Sequence, residues 1–260
     1  MRLLAEDELP PVTVHRQSGK SIFVLASDHA GNSVPRRLRN LGLPQSELGR
    51  HIGIDVGILE TSLQLADQLD APLIAQRYSR LVIDCNRQPG NVSSMPTISE
   101  STEVPGNCGL SDDEMWWRER EIFHPYHDMI KEMLDSRDQE GRDTVLVAMH
   151  SFTPELFGRP RPWHIGVLFN RDPRVGKALL ELLRAEGDLC VGENEPYAVD
   201  DENDYTIPVH GERRGLPHVE IEIRQDQLAD AGGRKAWADR LARLLPQAVD
   251  RALTPTTFHR

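Results

Sequence analysis

The chain has 260 residues, of which 38% are hydrophobic and 27% charged, with a mean hydropathy of −0.48. That is enough apolar material for one large α/β domain, and it is not the composition of a disordered chain. A formal net charge of −11 repels nucleic-acid phosphates and anionic membranes, so neither is an expected partner, and an anionic substrate would need arginines of its own inside a cleft.

Cys85, Cys108 and Cys190 show no CxxC spacing, which points to reduced thiols rather than disulfides or a structural zinc knuckle. No apolar run reaches the roughly 18 residues of a membrane span. The opening MRLLAEDELPPV lacks the apolar core of a signal peptide. A cytoplasmic location is the resulting expectation, with the oligomeric state left open.

The chain reads as a single catalytic domain over 1–260, with residues 1–20 as an irregular lead-in. Ile22–Ala26 (IFVLA) is a short apolar run of the kind buried on both faces of a sheet. It ends in the polar turn SDHAGN, and a helix is expected from about Pro35. Apolar positions at helical spacing predict a helix over 54–69, and 72–75 and 81–83 read as strands. Residues 89–110 form a long irregular stretch rich in Pro, Ser, Gly and Asn.

Ser111 with Glu114 three residues later is a helix N-terminal signature. The helix should run to about Asp138 with a bend at Pro125. Strands are expected at 144–149 and 163–169, an amphipathic helix at 174–185, a second polar loop at 190–212, and an alternating strand at 219–223. A helix over 225–252, interrupted at Gly232-Gly233, closes the chain. The alternation of strands and helices predicts an α/β fold with a mixed central sheet flanked by helices.

Polar residues just past strand ends line the ligand crevice of such sheets. Three stand out: His29 after the first strand, His150 ending VLVAMHS, and Glu222 in the late strand. Two histidines, a carboxylate and water make a usual catalytic zinc set. A glutamate beside it can act as general base. Glu220 shares the face of Glu222, so the sequence leaves open which is the base.

Arg80, Asp84, Asn86 and Arg87 crowd into SRLVIDCNRQ. They read as an anchor for an acidic substrate, or, for Arg80 and Asp84, as a structural pair. Arg224 can clamp substrate or balance Glu222, and His210 is a candidate for facing the site. Asp204 and Tyr205 read as loop structure, His124 and His127 as helix-surface residues, Cys85 as a small buried group, and Trp116 and Trp117 as packing residues.

The strings SDHAGNSVP, HIGIDVG, SRLVIDCNRQP, PYHDMI, MHSFTP and NEPYAVDDENDYTIPVHGERRGLPHVEIEIRQD occur in order over about 22–230. Together they resemble the N-formylglutamate amidohydrolase family, whose core is similar to that of the zinc carboxypeptidases. The resemblance implies a three-layer α/β/α (phosphorylase/hydrolase-like) fold and a metal-dependent amidohydrolase acting on a small N-formyl or N-acyl amino acid. The alternatives are a deacylase or peptidase for a larger acyl group, or a binding module that keeps the fold.

By position the resemblance implies His150 as a ligand of a divalent metal, zinc being the expected ion. It implies Asn86 and Arg87 as carboxylate anchors and Glu222 as the base. One departure is visible. Zinc carboxypeptidases carry His-x-x-Glu for the first two ligands, and the matching string here is His29-Ala30-Gly31-Asn32. The third ligand is therefore Asp55, Asn32 or water.

Overall fold

The computed structural model describes residues 2–254. Its strands are β1 (Val12–His15), β2 (Phe23–Ser27), β3 (Leu73–Gln76), β4 (Ile98–Ser99), β5 (Thr102–Glu103), β6 (Val145–Phe152), β7 (Glu155–Leu156), β8 (Arg159–Pro160), β9 (Ile165–Leu168), β10 (Val191–Glu193) and β11 (His218–Arg224). Its α-helices are α1 (Gln45–Leu48), α2 (Ile58–Leu69), α3 (Asp112–Arg118), α4 (His124–Gln139), α5 (Arg174–Ala185) and α6 (Ala231–Leu253).

Seven strands form one sheet in the order β1-β3-β2-β6-β11-β9-β10. The inner four, β3, β2, β6 and β11, are mutually parallel, whereas β1 and β9 join antiparallel. This is the expected mixed sheet. Alternation along each strand divides the interior into two layers. Val145, Val147 and Met149 of β6, with Val219, Ile221 and Ile223 of β11, pack against α2, α5 and α6. Leu146 and Ala148 face the other way, toward Ile122, Phe123, Tyr126 and Ile130 of the long helical run over 112–139. His150, Glu220 and Glu222 share that second face. No helix among the described residues is long and apolar enough to cross a membrane.

Local chemistry explains several boundaries. Ser111 and Glu114 form the reciprocal capping box, with Ser111 Oγ accepting from the Glu114 amide at 3.3 Å. Pro125 cannot donate to the carbonyl four residues back, and the helix answers with a wider π turn over Glu119–Phe123 rather than a break. Gly232 and Gly233 sit in the first turn of α6, where Asp230 accepts from the Gly233 amide at 2.8 Å, so they belong to a cap and not to an interruption.

Other expectations are corrected. The lead-in carries edge strand β1, and the loop at 190–212 carries β10 and a π turn over Ile207–Glu212. The expected helix after Pro35 is a 3-10 turn over Arg36–Gly42, interrupted by positive φ at Arg39, Asn40 and Leu41. Leu81, Val82 and Ile83 are fully buried but lie outside any strand, held by the second core layer rather than by a ladder. Trp116 is exposed, with Arg120 over its ring at 4.9 Å, so packing does not account for it.

Candidate active site

Strands β2, β6 and β11 end side by side, each through polar residues. β2 gives way at Ser27 to the turn Asp28-His29-Ala30-Gly31-Asn32. That turn is clamped from behind: a Cβ on Gly31 would stand 2.0 Å from the Arg77 carbonyl oxygen, so only glycine lets the two backbones meet. From the front, the Asp55 amide donates to the His29 carbonyl at 3.0 Å. Asp55 therefore sits in the turn preceding α2, not in the helix. The β6–β11 register places His150 beside Glu222.

Asp55 is the centre of the cluster. Its Oδ2 lies 3.0 Å from His150 Nδ1 and 3.4 Å from His29 Nδ1, and the Ser151 amide donates to it at 3.2 Å. Arg80 donates to Asp55 Oδ1 at 3.2 Å and to Asp84 Oδ2 at 2.8 Å. Each histidine has a second carboxylate behind it. His29 Nε2 donates to Asp84 Oδ1 at 2.6 Å, and His150 Nε2 stands 3.1 Å from Asp28 Oδ2 without a well-aligned hydrogen bond. Asp28 in turn accepts from Thr206 Oγ1 at 2.5 Å.

Burial decides the charges. Burial and Arg80 pull the pKa of His29 down, but Asp84 and Asp55 outweigh them and the net direction is up. For His150, burial is outweighed by Asp28 and Asp55, and the pKa ends well above the ordinary value. Burial would raise the pKa of Asp55, yet His29 and His150 hold it down. Glu222 goes the other way: burial, reinforced by Asp55, pushes it up to about 7 against the pull of His150. Glu220 is driven well above the carboxylate range by burial, despite His150. One oxygen of each glutamate is buried without a hydrogen-bond partner.

These residues fit a divalent metal. His29, Asp55 and His150 each offer a donor atom, all within 4.8 Å of one another. His29 Nδ1 is buried with no hydrogen-bond partner. The outer ring nitrogens are backed by carboxylates, the arrangement that fixes a ligating imidazole's tautomer. The donor set is two imidazoles and a carboxylate.

His29, Asp55, Arg80, Asn86, Arg87, His150, Glu220 and Glu222 line one cavity of about 330 Å³. Asn32 lines a separate cavity behind the turn, which touches this one only through Asp55. Arg224 is turned away and occupied by Asp226 at 2.7 Å and by the carbonyl oxygens of Arg161 and Pro162. His210 and His127 form a stacked pair with nitrogens 3.0 Å apart, and His127 Nε2 donates to the Cys85 carbonyl at 2.7 Å. Burial pushes the pKa of His127 down to about 4 and that of His210 down to about 3, so both are neutral core groups and His127 is not on the surface.

Asn86 lines the cavity, but its amide serves the neighbouring loop. The amides of Tyr205 and Thr206 donate to its Oδ1 at 2.9 and 3.0 Å, and its Nδ2 donates to Asp204 Oδ1 at 3.1 Å. Arg87 donates to the Asn203 carbonyl and stands 3.6 Å from Asp204. Asp28 and Thr206 are the participants that sequence reading passed over, and Asp204, read as loop structure, bonds Asn86 and the Asp200 amide. Asp28 directly precedes His29 at a strand end, which was the available signal.

A buried glutamate of raised pKa beside a metal-competent trio at the ends of a mixed sheet is an arrangement suited to hydrolysis. The N-formylglutamate amidohydrolase sequence model matches residues 21–229, and the chain belongs to that family. It is accordingly a hydrolase acting on amide bonds. The structure of gene product Atu2144 from Agrobacterium tumefaciens is similar to it at 37% identity and a TM-score of 0.92, over 96% of this chain and 98% of that one. N-formylglutamate amidohydrolase from Ralstonia eutropha JMP134 shares the fold at 17% identity and a TM-score of 0.68, over 94% of this chain and 98% of that one. No curated protein matches the chain.

Proposed function

We propose that the chain is a metal-dependent amidohydrolase that removes the N-formyl group, or a comparably small N-acyl group, from an amino acid. The observation that carries this reading is the convergence of His29, Asp55 and His150 within 4.8 Å, with Glu222 on the same cavity wall. A divalent ion held by those three side chains, zinc being the expected one, supplies Lewis acidity that polarises an acyl oxygen and makes water more acidic.

The protein's own groups do the rest. Glu222, with a pKa near 7, accepts the proton of the attacking water and delivers it to the nitrogen of the departing amine. Asp84 holds the His29 imidazole by a hydrogen bond, and Asp28 stands behind that of His150. Arg80 anchors the Asp55 and Asp84 carboxylates, and Arg87 is the cation left to meet the carboxylate of the amino acid. Asn86 shapes the site by fixing residues 203–206. The cavity lies at the small end of the ligand-pocket range, roughly 300–1,000 Å³, which suits a single metabolite and not a polymer.

The test is formate release from N-formylglutamate and other N-formyl amino acids, with and without chelator and with zinc returned. Release that chelator abolishes and zinc restores is expected. Zinc-loaded protein that releases formate from none of them would sink the reading.

A further inference from the structure

A second recess of about 290 Å³ opens from the catalytic cavity, sharing His51, Arg80, Arg87 and Tyr197 with it. Pro96, Ile98, Leu156 and Phe157 wall it, contributed by the loop around β4 and by the β7–β8 hairpin. Three of the seven large apolar side chains that the described residues leave exposed, Ile98, Phe157 and Tyr197, border this one recess. Apolar groups gathered at a cleft mouth mark a ligand groove rather than scattered surface. The recess also holds Asp84, Ser93, Ser99 and Glu100, and His51 Nε2 is buried there without a hydrogen-bond partner. Glu100 accepts from Arg50 at 2.7 Å and lies 3.4 Å from His51 Nε2.

The charge of the cavity gives independent evidence. Asp55, Asp200, Asp204, Glu220 and Glu222 line it, the two glutamates with raised pKa values, beside His29, His51, His150 and two arginines. Arg80 is spent on Asp55 and Asp84. Arg87 has carbonyl acceptors and a distant Asp204, so its charge can meet one substrate carboxylate. In the recess a second carboxylate would face Glu100.

We infer that the substrate is an N-acyl amino acid with an apolar side chain: its single carboxylate lies against Arg87 and its side chain enters the recess formed by Ile98, Leu156, Phe157 and Tyr197. Arg87 lines both cavities, so a carboxylate held there puts the substituent of the adjoining α-carbon at the recess entrance. This rests on the amidohydrolase reading above and narrows it.

Formate release by the zinc-loaded protein should be compared for N-formyl-leucine, N-formyl-phenylalanine, N-formylglycine and N-formylglutamate. The expected kcat/KM is highest for the leucine and phenylalanine compounds. It should be lower for N-formylglutamate by on the order of a hundredfold, since a desolvated charge without a partner is costly. Phe157→Ala and Ile98→Ala should each lower the leucine-to-glycine ratio of kcat/KM by about tenfold, mainly through KM. N-formylglutamate turned over as well as N-formyl-leucine overturns the inference and keeps the amidohydrolase reading. So does a ratio that neither variant moves. Absence of formate from all four compounds overturns both.

Discussion

Replacing Asn86 with alanine separates two roles that its position in the cavity allows. The side chain accepts from the half-buried amide of Tyr205 and the buried amide of Thr206 at 2.9 and 3.0 Å and donates to Asp204 at 3.1 Å. Alanine leaves two amide donors without acceptors, at about 1–3 kcal/mol each. The 203–206 segment should therefore lose about 2–6 kcal/mol of local stability, where 1.4 kcal/mol is about tenfold in an opening constant. Hydrogen exchange at the Tyr205 and Thr206 amides reads this directly, with protection falling at least about thirtyfold. If global unfolding is limited by this segment, the urea midpoint also falls, by about 1–2 M at an m-value of about 2–3 kcal/mol per M. Unchanged protection of both amides together with a raised KM would refute the reasoning and return Asn86 to the role of direct substrate anchor.

Glu222→Gln should lower kcat by about 10²–10⁴ while zinc still binds, as stopped-flow turnover and metal analysis would show. The same group governs a pH effect. Its folded pKa of about 7 lies above its usual 4.5, so the folded state holds the extra proton between those values. Stability is thus undiminished below about 4.5 and falls as pH rises to 7, by on the order of 3 kcal/mol in metal-free protein, and the glutamine variant should lack that fall in urea titrations. Zinc loading at pH 6 should release close to two protons per ion, because the pKa values of His29 and His150 are both raised and both rings must shed a proton to ligate; calorimetry in buffers of different ionisation enthalpy counts them, and zero release would contradict the donor assignment. Asp84→Ala removes the carboxylate behind His29 and should weaken zinc binding about 10–100-fold in a competition with a chromophoric chelator.

Much of the site was legible because it is built where the sheet stops. His29 and His150 each close an apolar run, and Glu222 sits on the polar face of an alternating strand, patterns visible in a single sequence. Asp55 was visible only as one alternative, since its role depends on the His29 carbonyl binding its amide across a long loop. Asn32 and Arg224 were candidates by position, Asn32 the weaker ligand type beside Asp55. One lies behind the turn, and the other is consumed by Asp226 and two carbonyls, facts that belong to tertiary packing. Leu81–Ile83 mimicked a strand because burial by a core layer and burial by a ladder leave the same apolar mark. VTVH in β1 gave too weak a signal because an edge strand of half-buried residues has no continuous apolar run.

The contact between Gly31 and Arg77 bears on how the site comes into being. With the chain closed backbone to backbone behind His29, the imidazole is delivered by folding itself, and its turn has no slack to lose when an ion or substrate arrives. The loop that carries Asp204 is fastened by side chains instead, through Asn86 and Thr206, and such fastenings can be released one at a time. The wall that carries His29 thus admits no added atom at residue 31, whereas the loop opposite depends on separate side-chain hydrogen bonds, each of which a single substitution can remove.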